Sequence, residues 1–256
     1  MKRILLGVLA AFIALSSVLG LSGSGAAEDY WYVKRNAEHK QPKCDPNLAY
    51  IENYGGVYVD KNHGDGDAEK VIYLTFDAGY ENGNVKKILD TLKDEDVRGS
   101  FFILGNIIDR NPGLVKRMAD EGHLVCNHTL HHKNLTSASE EKFKDEVCGL
   151  ERKYEELTGK KMSDFFRPPE GTFSENLLKI ANKLGYKTVF WSFAYADWDN
   201  GAQMSEEAAI KKILDNVHNG EIMLLHPTSA TNAKIMKRLI TELKDQGYRF
   251  ATLDEL

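Results

Sequence analysis

From Val71 onward, short apolar runs rich in β-branched and aromatic residues alternate with segments whose apolar positions recur every three to four residues. The runs predict strands over Val71–Asp77, Gly99–Gly105, Leu124–Thr129, Phe165–Pro168, Thr188–Phe193, Glu221–Pro227 and Arg249–Leu253. The segments between them predict helices near 84–96, 111–121, 139–158, 174–184, 205–218 and 231–246. Local punctuation agrees: Asn111-Pro112 opens one helix, Ser174 caps another, and Gly122, Gly159 and Gly185 close three. Seven strands alternating with six helices imply a parallel sheet, either open and doubly wound or closed into a barrel. The ends of five runs carry groups with chemistry: Asp77, His128, Arg167, Asp197-Trp198 and His226. A site fed by that many strand ends predicts an α/β fold of the (β/α) barrel type, because an open sheet gathers its site mainly at one switch point.

The chain before Val71 reads differently. Lys2 and Arg3 precede an apolar run from Ile4 to Leu21, and small residues follow as far as Ala27. That order is the layout of an export signal, with cleavage expected after Ala26 or Ala27. The run is also about long enough to span a bilayer, so an uncleaved membrane anchor is the alternative. Either outcome puts the folded part outside the cytoplasm. Residues 28–69 lack periodicity, with Trp31, Tyr32, Tyr50, Tyr54 and Tyr58 scattered among Asn, Lys, Gly and Pro. They predict an irregular N-terminal arm pinned by aromatics to a main domain spanning 70–256. The stretch Asp60–Asp67 has the acidic look of a calcium loop but lacks the placed Glu and flanking helices of an EF-hand, so a polar turn is expected.

Composition narrows the partners. A chain of 256 residues, 42% hydrophobic and 28% charged, excludes wholesale disorder and a multi-span membrane protein. Thirty-three basic against 38 acidic residues, a net charge of −5, argues against nucleic acid. Cys44, Cys126 and Cys148 are too few and too scattered for a disulfide scaffold or a CxxC zinc site. Outside the cytoplasm Cys126 and Cys148 could pair, leaving Cys44 odd; separate thiols are the other reading.

The polar groups each have an ordinary structural reading beside a chemical one. Asp77, in Thr75-Phe-Asp-Ala-Gly79, suits a helix cap or a general base. His128-Thr-Leu-His-His132 sets two imidazoles four residues apart, which on one turn of helix would face the same side and make half of a zinc-type site, with His131 pointing elsewhere. Arg167, in Arg-Pro-Pro-Glu-Gly171, suits a structural ion pair or bidentate grip on a carboxylate. His226, after Ile222-Met-Leu-Leu225, suits a hydrogen-bonded core position or a proton donor.

In their order along the chain, these motifs resemble the polysaccharide deacetylases, carbohydrate esterase family 4. The series is TFDAG (75–79), HTLHH (128–132), RPPEG (167–171), ADW (196–198) and LLH (224–226), so the resemblance covers about residues 70–256. YENG at 80–83, WSFAYADW at 191–198 and WYVKR in the arm are most similar to the delta-lactam-biosynthetic branch, which removes acetyl from muramic acid in spore-cortex peptidoglycan.

The resemblance implies a distorted (β/α) barrel of about seven parallel strands. It implies Asp77 as catalytic base, Arg167 orienting it, His226 as general acid and Asp197 charging that acid. His128 and His132 become metal ligands, for a divalent metal with zinc the first expectation. Trp198, Glu170 and Tyr80 become substrate-binding positions, with a backbone N–H near Glu170 helping to hold the oxyanion. The chain departs from the family pattern where a second Asp, the third metal ligand, is replaced by Ala78, where Tyr after RPP is replaced by Glu170, and where the first Asp of DxxDW is replaced by Ala194. The delta-lactam branch commonly lacks the second Asp too.

The expected function is therefore de-N-acetylation of N-acetylmuramic acid in a peptidoglycan strand, leading to muramic delta-lactam. The expected location is extracytoplasmic, secreted or tethered and facing the cell wall. Deacetylation of N-acetylglucosamine in peptidoglycan or chitin-like glycan is one alternative, and a catalytically dead glycan-binding module is another.

Overall fold

A computed structural model describes residues 28–256. The export signal or anchor expected over 1–27 lies outside the described residues. Among the described residues ten strands and seven α-helices follow in order: β1 (Asp29–Tyr30), β2 (Lys70–Ala78), α1 (Asn84–Asp94), β3 (Ser100–Ile103), α2 (Gly105–Arg110), α3 (Pro112–Asp120), β4 (Leu124–Asn127), α4 (Glu140–Thr158), β5 (Phe165–Phe166), β6 (Thr172–Phe173), α5 (Glu175–Lys183), β7 (Lys187–Thr188), β8 (Phe193–Ala194), α6 (Glu206–Leu214), β9 (Glu221–Leu225), α7 (Ala230–Asp245) and β10 (Tyr248–Ala251).

The main sheet is parallel and runs β7-β5-β4-β3-β2-β9-β8, with β10 beside the first half of β2. Its two ends, β7 and β8, belong to one stretch of chain. The run expected as a single strand over Thr188–Phe193 instead breaks in the middle: β7 pairs with β5 and β8 with β9. The sheet thereby curls into a distorted (β/α) barrel. At the break, Val57 of the arm pairs with Val189, and Val59 pairs with Glu221.

The strand period of two sorts the side chains. In β2, Val71 and Tyr73 join Phe102, Cys126, Val189 and Ile222 in an apolar cluster inside the barrel. Their neighbours Ile72, Leu74 and Phe76 join Phe101, Ile103, Met223 and Leu225 in a second cluster under the helices. Burial on both faces explains why β2 and β9 read as nearly unbroken apolar runs. The helices bury one stripe each; in α1 it is Val85, Ile88, Leu89 and Leu92.

Several expected boundary signals are in place. Pro112 starts α3, the Ser174 side chain accepts the Leu177 N–H, and Gly159 ends α4 at φ 68°. Two expectations need correction. The helix α2 follows β3 directly and was not anticipated, and the strand expected over Phe165–Pro168 ends at Phe166 because the two prolines cannot donate to a ladder. All three cysteines are free, so Cys126 and Cys148 do not pair.

The arm lies on the barrel. Strand β1 pairs antiparallel with β6, and the Trp31 indole stacks on Phe190 at 4.6 Å while its N–H donates to Trp191 O at 2.8 Å. The Asp60–Asp67 stretch is a polar turn: Asp60, buried, accepts from the Tyr73 hydroxyl at 2.7 Å and pairs with His63 at 2.6 Å.

Candidate active site

The inward face of each strand carries the polar groups just above the apolar plug. Val71, Tyr73, Thr75 and Asp77 form one inward series on β2; His128 continues the line from Cys126, Arg167 from Phe165, and His226 from Ile222 and Leu224. All the strands are parallel, so these groups meet at one rim. They open on a cavity of about 740 Å³ lined by Asp77, Tyr80, His128, His132, Trp198 and His226 among others. That volume lies within the roughly 300–1,000 Å³ of small-molecule sites, enough for sugar units.

Arg167 is completely buried inside the barrel, its guanidinium 4.0 Å over the Phe102 ring. It donates to Asp77 Oδ1 at 2.7 Å, Thr75 Oγ1 at 3.0 Å, Phe190 O at 3.2 Å and Val189 O at 3.1 Å. Those partners satisfy a charge that would otherwise be very costly to bury. They leave Asp77 Oδ2 facing His128 Nε2 at 3.6 Å. Burial pushes the Asp77 carboxyl up, but Arg167, with His128 and His226 behind it, pulls it below the usual carboxylate range.

His128 and His132 do come together, with ring centroids 5.0 Å apart, but not on a helix. The expected helical turn is replaced by a loop in which Thr129 and His132 take left-handed backbone angles, φ 75° and 55°. Asn127 Oδ1 holds the Thr129 N–H at 3.0 Å, and Thr129 Oγ1 holds the His132 N–H at 2.9 Å. His131 points away, bonded to Glu146 at 3.0 Å. His128 donates Nδ1–H to Arg167 O at 2.8 Å, which leaves the Nε2 lone pair free, and burial pushes its pKa down to about 4. A neutral imidazole so held has the donor chemistry of a metal ligand. Ala78 contributes only a methyl, buried in the outer core, and among the described residues no three His, Cys, Asp or Glu side chains form a metal-holding group.

On the opposite side, His226 Nδ1 donates to Asp197 Oδ1 at 2.7 Å and its backbone N–H donates to Asp197 Oδ2 at 2.8 Å. Burial alone would lower the imidazole pKa; the Asp197 hydrogen bond and charge outweigh it and raise the value. Trp198 is 60% exposed, with its ring edge-on to His226 at 6.3 Å. Tyr80 is exposed on the facing loop and accepts from Asn200 at 2.7 Å. Glu170 is exposed on the rim at φ 59°, next to Gly171 at φ 68°.

All nine residues anticipated as site groups therefore sit in or directly behind one cavity: Asp77, Arg167, His226, Asp197, His128, His132, Trp198, Glu170 and Tyr80. Thr75, Tyr195 and Asn232 were not anticipated. Their part in the site rests on hydrogen bonds across 35 to 92 positions of sequence, which leave no local pattern.

A buried carboxylate–arginine pair faces a histidine–carboxylate pair across one cleft, an arrangement suited to general acid–base hydrolysis. The polysaccharide deacetylase family profile matches residues 64–189. The chain is 40% identical to the peptidoglycan-N-acetylmuramic acid deacetylase PdaA of Bacillus subtilis, covering 95% of this chain and 94% of that protein. It superposes on the structure of PdaA, described as a family 4 carbohydrate esterase, with a TM-score of 0.84 over 90% of this chain and 96% of the other. A peptidoglycan-N-acetylglucosamine deacetylase of Bacillus cereus is 35% identical over 73% of this chain and 88% of its own length. The chain belongs to the polysaccharide deacetylase family, the family 4 carbohydrate esterases.

Proposed function

We propose that the chain removes the acetyl group from N-acetylmuramic acid in peptidoglycan. The observation that carries this reading is the pairing of Asp77–Arg167 with His226–Asp197 around one cavity, in a chain 40% identical to a muramic acid deacetylase over nearly its whole length.

Asp77 is ionised at neutral pH and is the base that takes a proton from the attacking water. Arg167 holds Oδ1, so the proton goes to Oδ2. Water adds to the acetyl carbonyl, and a backbone N–H in the Glu170 turn helps hold the oxygen that becomes negative. The C–N bond then breaks as His226, protonated and oriented by Asp197, gives its Nε2 proton to the departing amine. Acetate and a free 2-amino group result. Trp198 and Tyr80 form walls against which the sugar ring packs. His128 and His132 would hold a divalent metal, with zinc favoured by the two imidazoles, and the positions left open by Ala78 would fall to water and substrate. Such a metal supplies Lewis-acid polarisation of the carbonyl.

The freed amine lies next to the lactyl carboxyl of the same sugar once the stem peptide is gone. Attack there with loss of water closes a six-membered lactam, favoured by proximity. A lactam product would suit a role in spore cortex, with residues 1–27 read as an export signal or tether and residues 28–69 as an arm on a 70–256 catalytic domain. Acetate release from peptide-free glycan tests the catalytic assignment. Wild type should release it, while Asp77→Asn and His226→Ala should lose about a hundredfold or more in kcat. Equal rates in all three would refute it.

A further inference from the structure

We propose that Asn232 is a positioning residue for His226, acting through Asp197. The inference rests on the reading of His226 as proton donor. Asp197 is buried and accepts three hydrogen bonds: His226 Nδ1–H at 2.7 Å on Oδ1, and on Oδ2 the His226 backbone N–H at 2.8 Å and the Asn232 amide at 2.6 Å. The same Asn232 amide nitrogen also reaches His226 O at 3.1 Å. One fully buried carboxamide thus ties the carboxylate to the backbone of the residue it charges.

The amide can face only one way. A flipped amide would set Oδ1 against Asp197 Oδ2 and His226 O, three acceptors with no proton between them. With the NH₂ group so fixed, Oδ1 accepts the Tyr195 hydroxyl proton. Tyr195 lines the cavity, so Asn232 is tied to its wall. The backbone of Asn232 is fixed too, in the first turn of α7, by Ser229 Oγ accepting its N–H at 3.1 Å. Gln203 couples that turn to the Asp197 loop, accepting from the Ser229 hydroxyl and donating to Asp197 O at 2.9 Å. The groups facing His226 are Asp197, Asp77 and Arg167, so Asn232 sets its position without adding charge.

The alternative is a structural role at the start of α7. Asn232 is fully buried, so a structural role predicts that its variants lose stability while the enzyme that stays folded keeps wild-type kcat. Positioning predicts that kcat per folded enzyme itself falls, since Asp would set an oxygen against the Asp197 carboxylate where a donor now stands and Ala would remove the donor. The experiment is steady-state acetate release by Asn232→Asp, Asn232→Ala, Tyr195→Phe and His226→Ala, with Asn232→Ala also placed in the His226→Ala background.

The expected result is a fall in kcat of about tenfold to a hundredfold for both Asn232 variants, with KM within about twofold. Tyr195→Phe, which keeps the fold's packing, should lose a smaller part, again in kcat. Asn232→Ala should cost nothing further once His226 is gone. Wild-type kcat per folded enzyme in Asn232→Asp and Asn232→Ala, losses carried by KM, or a full additional loss in the His226→Ala background would overturn the inference. Should His226→Ala itself keep wild-type kcat, the proton-donor reading fails instead.

Discussion

Asp77 and Arg167 meet at 2.7 Å inside the barrel although their strands, β2 and β5, are separated in the sheet by β3 and β4. The curl of the sheet brings their inward faces together, and Thr75 adds a second contact by accepting from Arg167 and donating to Met223 O. The Asp77 carboxylate is thus positioned by the closure of the fold itself.

Removing one member of that pair should therefore be costly to folding as well as to catalysis. Arg167→Met leaves Asp77 buried beside no cation, and should lower unfolding free energy by about 3–5 kcal/mol. Urea denaturation read alongside acetate release checks this. Arg167→Met with wild-type stability would contradict the assigned coupling. Arg167→Lys keeps a charge but not the fork of donors, so it should keep more stability than Arg167→Met and little activity.

With His226 as the proposed proton donor, the His226–Asp197 pair should set the alkaline limb of the pH–rate profile. A raised pKa keeps His226 protonated above its ordinary value, and activity should fall as pH rises through it. Asp197→Asn removes the charge that raises it, so the limb should move to lower pH and kcat at pH 8 should fall by at least about tenfold. An unmoved limb would mean that some other group donates the proton.

Much of this arrangement was legible from the chain alone, and the exceptions share a cause. Alternating apolar runs marked the strands from Val71, and Asp77, Arg167 and His226 stood at their ends because parallel strands present one rim. Sequence could not show that residues 188–193 change partners midway, since Val189 and Phe193 are equally apolar on either side of the break. Nor could it show that His128 and His132 converge through two left-handed residues, because a β-branched Thr rarely enters that region and nothing in the spacing marks His132 for it. Asn232 reads locally as a polar residue in a helix start; only the fold sets it against Asp197.

Metal dependence should be present and weakly held. With two imidazoles and no third protein ligand from position 78, chelator should abolish acetate release and added zinc should restore it. His132→Ala should defeat that restoration. Full activity in chelator would remove the metal from the mechanism.

Buried His123 gives a stability signature separate from catalysis. Burial lowers its pKa to about 4, and its Nδ1 accepts the Gly99 N–H at 3.1 Å. The unfolded chain binds this proton near pH 6.5, so the folded state loses stability from this group as pH falls from about 6.5 toward 4, by up to roughly 3 kcal/mol. His123→Asn keeps an acceptor and does not titrate. The stability gap between wild type and this variant should therefore shift in the variant's favour between pH 7 and 4.5. A gap independent of pH would rule out the buried neutral imidazole.

The central claim concerns which sugar loses its acetyl group. Peptide-free peptidoglycan oligosaccharide containing both N-acetylglucosamine and N-acetylmuramic acid, incubated with enzyme and zinc and fragmented by mass spectrometry, answers it directly. The expected result is loss of acetyl from muramic acid alone, with a further loss of water on that sugar where the lactam closes. Loss from glucosamine with muramic acid untouched would contradict it.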